Sequence, residues 1–141
     1  MEMKKLPALQ VDVANVKPLV FGEDYESRMI LDHVITGRDN VIQINHGTVK
    51  AGYALGGGVH DEDEIYYILS GKGKLQLDDK IVDIAKDQVI FIPAGCFHAL
   101  DNRESDEDMC ILTFWRDWRF NEAYEARVKL WGKSFKTVDE D

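Results

Sequence analysis

Between Tyr25 and Leu112 the chain is cut into short apolar or alternating runs by glycine, aspartate and asparagine. The runs are Ser27–Ile35, Val41–Ile44, Thr48–Tyr53, Glu64–Leu69, Gly73–Leu77, Lys80–Ile84, Gln88–Ile92 and Met109–Phe114. Turns are expected at Gly37–Asn40, Gly71–Lys72, Asp78–Asp79 and Pro93–Gly95. Many short strands at such regular spacing predict an all-β sandwich or barrel. With 141 residues there is chain enough for one domain with a proper core and no need of disulfides.

The flanks read differently. Residues 1–24 carry Pro7 and Pro18 and only weak alternation, which predicts an N-terminal arm or edge strand ahead of a barrel over 25–116. After that the period changes. Phe120, Ala123, Tyr124, Arg127, Val128 and Trp131 recur at three- and four-residue steps, predicting a helix within 117–134. Asp117 or Asn121 is placed to cap it and Gly132 to end it. Residues 135–141 read as an acidic, frayed tail.

Charge narrows the choice of partners. Seventeen basic residues against 26 acidic ones leave a net charge of −9, and the bases do not cluster. Such a surface repels phosphate backbones and anionic membranes, so neither nucleic acid nor membrane is expected as a partner. No apolar stretch approaches the ~20 residues of a membrane span. The opening Met-Glu-Met-Lys-Lys-Leu-Pro has no apolar core behind its lysines, and Cys96 and Cys110 form no C-x-x-C pair. These features predict a cytoplasmic protein with reduced thiols.

Three residues in the β region have metal-ligand chemistry. His60 and Glu64 are four apart with equal strand parity, and His98 follows a Pro-x-Gly turn. Two imidazoles and a carboxylate suit Fe, Mn, Zn or Ni and leave coordination positions open, although histidines and acids at strand ends often only face solvent.

The surrounding residues add to that pattern. Gly52, five residues, Gly58-Val59-His60, three residues, Glu64, six residues and Gly71 resemble the first motif of the cupin superfamily. Asp87, five residues, Pro93-Ala94-Gly95, Cys96-Phe97, His98, three residues and Asn102 resemble the second. The resemblance implies a double-stranded β-helix, that is a jelly-roll barrel, with an N-terminal arm and one C-terminal helix. It also implies a homodimer and a divalent transition metal on His60, Glu64 and His98. Gly58 stands where the family has a first histidine, and Asp87 where it has a glycine. The missing ligand either opens a position for substrate or marks a decaying site. Glu62 and His46 are candidate replacements, with Glu62 also readable as an exposed member of an acidic run.

Other residues carry weaker expectations. Tyr66 shares parity with Glu64 and, with Glu62, is a candidate to move protons; packing inside the barrel is the plainer role for the tyrosine. Phe114, Trp115 and Arg116 are candidate substrate-binding residues, with Trp118 and Arg119 beside them. The aromatics would serve equally to fix the helix to the barrel, and the arginines to form surface ion pairs. Gly56-Gly57-Gly58 lacks a following lysine and helix, so it reads as a close backbone approach rather than a phosphate loop. Cys96 reads as a small buried hydrophobe or a thiol near the metal. Together these point to a metal-dependent isomerase, lyase or dioxygenase acting on a small polar carboxylate or sugar acid. A non-catalytic small-molecule-binding module is the alternative.

Overall fold

A computed structural model describes residues 7–117, 119 and 122–140. Its strands are β1 (Leu19–Phe21), β2 (Tyr25–Leu31), β3 (Gln43–Val49), β4 (Glu64–Ser70), β5 (Lys72–Leu77), β6 (Lys80–Ala85), β7 (Val89–Ile92), β8 (His98–Asp101) and β9 (Met109–Trp115). They form a six-stranded sheet in the order β1-β2-β3-β9-β4-β7 and a three-stranded sheet in the order β6-β5-β8. The described pairings between strands are antiparallel.

Alternation puts the core between the sheets. In β4, Tyr66 and Ile68 are buried while Ile65 is exposed; in β9, Met109, Ile111 and Trp115 are buried. Tyr66, Ile68, Met109 and Ile111 meet Leu75, Ile84 and Leu100 from the smaller sheet, with Val49, Ile92 and Cys96 completing the cluster. Cys96 is thus the small buried hydrophobe of the two readings open to it.

Residues 52–58 run beside β8 without forming a regular strand. Gly52 and Leu55 donate to the carbonyls of Asn102 and Leu100, and Gly58 exchanges two hydrogen bonds with His98. The second-motif asparagine, Asn102, is buried and donates through Nδ2 to the carbonyls of Val49 (3.2 Å) and Glu107 (2.8 Å), so it clamps loops together. Asp87 adopts a left-handed φ of 68°, a conformation aspartate tolerates, and can therefore stand at a glycine position.

Several expectations are corrected. The run Ser27–Ile35 is not one strand: β2 stops at Leu31, and Asp32 caps a helical turn, α1 (His33–Thr36), by accepting the Ile35 N–H at 2.8 Å. Val41–Ile44 and Thr48–Tyr53 are not two strands, because β3 passes straight through Asn45, His46 and Gly47. The strand β8 went unread, being only four residues with one fully buried apolar side chain. Residues 135–140 are not frayed. Val138 donates to the Asn15 carbonyl, Lys17 donates to the Lys136 carbonyl, and Val16 bridges Thr137.

The expected C-terminal helix is present as α2 (Glu122–Trp131), with the Gly132 N–H bonded to the Val128 carbonyl at its end. Its inward face is centred on Arg127, whereas Val128 is exposed. Asp117 Oδ1 accepts the Arg119 backbone N–H and its guanidinium, five residues before α2 begins. Asn121, Phe120 and Trp118 lie outside the described residues.

Candidate metal centre

The two sheets enclose a cavity of about 450 Å³. His60, Glu64 and His98 stand together on its wall, with one ligand atom from each lying within 4.8 Å of the others. Three separate pieces of chain deliver them. Glu64 opens β4 and points inward with Tyr66 and Ile68. His98 opens β8 in the opposite sheet.

His60 is not on a strand, contrary to the parity argument. It leads into the bend at residues 61–62, before β4. That bend is fixed by the Pro93–Gly95 turn: the Gly95 N–H bonds to the His60 carbonyl at 2.9 Å, and the Ala94 N–H to Asp63 Oδ1 at 2.9 Å. Gly95 has a φ of +83°, which suits glycine.

Both imidazoles are oriented from behind. His60 Nδ1 lies 2.9 Å from the Glu62 carbonyl, and His98 Nδ1 lies 3.0 Å from the Cys96 carbonyl. A carbonyl can only accept, so each Nδ1 carries the proton and each neutral ring directs an Nε2 lone pair forward. Both Nε2 atoms lie 3.3 Å from the same Glu64 Oε1. This is the donor set, with each ring held from behind by a backbone carbonyl, that a borderline divalent cation requires. The three residues therefore fit a metal.

The electrostatics agree. The hydrogen bond to Glu64 raises the pKa of His60 and of His98 above the usual imidazole value, against the opposing effect of burial. Burial pushes Glu64 up, but its bonds to the two histidines outweigh burial and hold it below its usual value. A proton on Nε2 lets each histidine donate to Glu64, so proton and metal compete for the same ring atoms.

The fourth corner is open. A Cβ built on Gly58 meets nothing within 4 Å, and Gly58 lines the cavity. One residue earlier the situation reverses: a Cβ on Gly57 would lie 2.2 Å from the Phe97 ring, so this glycine permits the close approach expected of it. Neither candidate replacement supplies a fourth ligand. His46 is on the outward-facing parity of β3, opposite Leu112 and Arg28. Glu62 lines the cavity, but its Oε1 accepts the backbone N–H groups of Arg116 (2.9 Å) and Asp117 (3.0 Å).

The remaining candidates divide. Tyr66 lines the cavity with its ring centroid 6.2 Å from that of His98, and burial, reinforced by Glu64, raises its phenol well above the usual value. Trp115 is on the same wall, and its indole N–H has no acceptor among the described residues. Phe114 is not, because adjacent strand residues face opposite sides and it falls on the outer face. The Arg116 side chain is exposed, and Arg119 pairs with Asp117 at 2.7 Å, as the surface-ion-pair reading expected. Sequence reasoning missed Tyr25, Ser27 and Asn45, which line the cavity from β2 and β3. Inward polar residues on a strand were the signal for them.

A model of the cupin domain matches residues 41–115, which hold both motifs and all three ligand candidates. The chain belongs to the cupin family. Among relatives, this cupin is 28% identical over 60 residues to an uncharacterized protein of Streptomyces coelicolor. The match covers 38% of this chain and 57% of the relative, so it spans little more than half of that protein's length.

Solved structures show the same fold at low identity. The polyketide cyclase RemF from Streptomyces resistomycificus superposes with a TM-score of 0.70 at 19% identity, covering 78% of this chain and 80% of the cyclase. A predicted oxalate decarboxylase from Thermotoga maritima gives a TM-score of 0.68 at 23% identity, covering 77% and 98%. Among the described residues, no helix of this cupin is long and apolar enough to cross a membrane.

Proposed function

We propose that this cupin is a metal-dependent enzyme acting on a small organic acid, a polar carboxylate or sugar acid, held in the barrel. The observation that carries the reading is the convergence of two backbone-oriented Nε2 atoms and Glu64 Oε1 on a cavity wall with an open corner at Gly58. A barrel only inherited from a binding ancestor has no need of two oriented imidazoles. The similarity of fold to a cyclase and to a predicted decarboxylase is compatible with chemistry at this place but selects no reaction.

His60, Glu64 and His98 would hold the metal. When bound, it supplies Lewis-acid polarisation of a substrate oxygen, or redox chemistry if the metal is iron. Tyr66, kept protonated by burial, offers a hydrogen bond to the acid. Trp115 adds an apolar wall with one N–H donor. Open space at position 58 admits a substrate oxygen where a fourth protein ligand would otherwise stand.

One observation favours a second reading, a non-catalytic small-molecule-binding module. Glu62 is engaged by two backbone amides, and Tyr66 is poorly acidic, so neither is a ready proton carrier at neutral pH. The reconstituted Fe(II), Mn(II), Zn(II) and Ni(II) forms, incubated with a panel of hydroxy-, keto- and sugar acids, separate the two. Product formation by one metal form, abolished by chelation, supports the enzyme. Saturable acid binding without product in any form supports the module.

We also propose that a second copy of the chain covers the outer face of the larger sheet. Ile65 sits beside Phe91, and Tyr67 beside Val89; Ile65, Phe91 and Val89 are exposed.

A further inference from the structure

The C-terminal helix sends a charge into the protein interior. Arg127 has no exposed surface, and its guanidinium donates through Nη2 to Ser27 Oγ and to Asn45 Oδ1, the latter at 2.9 Å. Nε and Nη1 have no partner among the described residues. Burying a cation with most of its donors idle is costly, and burial lowers the Arg127 pKa to about 10. A buried carboxylate, Asp32, is close enough to attract it. Both Asp32 oxygens are engaged elsewhere, however, by the Ile35 N–H and the Ser134 hydroxyl.

The guanidinium stands directly behind the cavity wall. Its two acceptors, Ser27 and Asn45, line the cavity, as does Ala123, one turn earlier on the same helix face. Tyr25 joins them: its hydroxyl accepts from Asn45 Nδ2 at 3.2 Å and occupies space that a side chain on Gly47 would fill. Strand register places this group relative to the metal residues. Asn45 pairs with Thr113, and Thr113 pairs on its other side with Tyr66, two residues along β4 from Glu64. Two strand spacings make roughly 10 Å, so the cavity has a metal-binding pole and, on the same sheet face, a Ser27–Asn45 pole backed by Arg127. The wall also presents the unpartnered indole N–H of Trp115, again a donor.

We propose that Arg127, with Ser27, Asn45 and Trp115, forms a carboxylate-binding subsite that anchors the end of the ligand remote from the metal. The proposal rests on the small-acid reading of the cavity and adds the group that recognises the acid. An incoming carboxylate supplies the guanidinium fork with the directly bonded counter-charge that Asp32, whose oxygens are engaged elsewhere, does not give it, and a lysine in this position could not match the geometry. Helix α2 is thereby part of the binding site rather than a cover for the barrel.

The test uses full-length protein stripped of metal, with acetate, benzoate and succinate as probes, and the matching amides as uncharged controls. Binding is followed by calorimetry and by the 15N–1H signal of the buried arginine Nε–H, read at constant ionic strength. At least one acid is expected to bind saturably and move that signal, while its amide does not. Arg127→Met, which keeps the bulk and removes the charge, is expected to weaken acid binding at least tenfold, with Arg127→Lys recovering only part.

An unmoved Nε–H signal with all three acids, or Arg127→Met binding them as tightly as wild type, would overturn the subsite. The signal in unaltered protein decides the matter should Arg127→Met fail to fold. Protein that takes up no metal on reconstitution yet shows the arginine-dependent response keeps the subsite and removes the metal-enzyme reading. Protein that holds metal but shows no such response does the reverse.

Discussion

Gly58 and His98 are locked side by side on the cavity wall by two backbone hydrogen bonds, 3.2 Å from the Gly58 N–H and 3.1 Å from the His98 N–H. The glycine therefore has a fixed backbone beside a ligand candidate, and open space where its side chain would be. Gly58→His is expected to add a fourth ligand and tighten metal binding by roughly tenfold or more, at the expense of any reaction that uses the open position. Competition with a chromogenic chelator measures it. Gly57→Ala serves as the contrast. Its Cβ would press into the Phe97 ring, and about 1–3 kcal/mol of stability should be lost in urea unfolding.

The metal-free protein should have a pH optimum of stability set by the triad. His60 and His98 have raised pKa values through their bonds to Glu64, so their contribution is complete below the ordinary value of 6.5 and fades as pH rises through the folded values. Burial opposes ionisation of Glu64, yet its bonds to the histidines lower its pKa. Its contribution is complete above the ordinary value of 4.5 and fades as pH falls through the folded value. Thermal melts of chelated protein should therefore peak between these limits. Added metal should reverse the upper limb, because metal and proton compete for Nε2. A His98→Ala variant retaining the wild-type upper limb would contradict this.

Glu62 ties the metal loop to the segment leading into α2. Its carbonyl receives His60 Nδ1, and its carboxylate accepts the 116 and 117 amides. Glu62→Ala should expose both amides to hydrogen exchange and cost about 1–3 kcal/mol, whereas Glu62→Gln should keep most of the protection. A glutamine variant as exposed as the alanine one would show that the charge, not the acceptor, matters.

The outer face of the larger sheet offers a test of assembly. Phe91→Glu inserts a charge beside Ile65 on the exposed apolar surface. Sedimentation should find wild type dimeric and the variant monomeric, with unchanged far-ultraviolet dichroism. A monomeric wild type would remove the dimer from the account.

The barrel was legible because its signals are local: alternation in β4 and β9, and turn residues at Gly71 and Asp78–Asp79. The triad was legible because two motifs hold His60, Glu64 and His98 in register. Most of what escaped depends on tertiary contact. The docking of residues 135–140 on the N-terminal segment and the turn that aims His60 rest on hydrogen bonds to distant chain, whereas the Asp32 cap is a local bond, to the N–H three residues on, inside a run that also reads as strand. Arg127 illustrates the limit best. Periodicity places it on the helix face that turns inward, but only the fold shows Ser27 and Asn45 waiting there, 100 and 82 residues away.

Elemental analysis of purified untagged protein decides whether His60, Glu64 and His98 hold a metal. Wild type, His60→Ala and His98→Ala should all fold, because the core does not depend on either imidazole. Near-stoichiometric Fe, Mn, Zn or Ni is expected in wild type, and its loss in both variants. Wild type that stays metal-free after reconstitution, or variants that retain the metal in full, would contradict it.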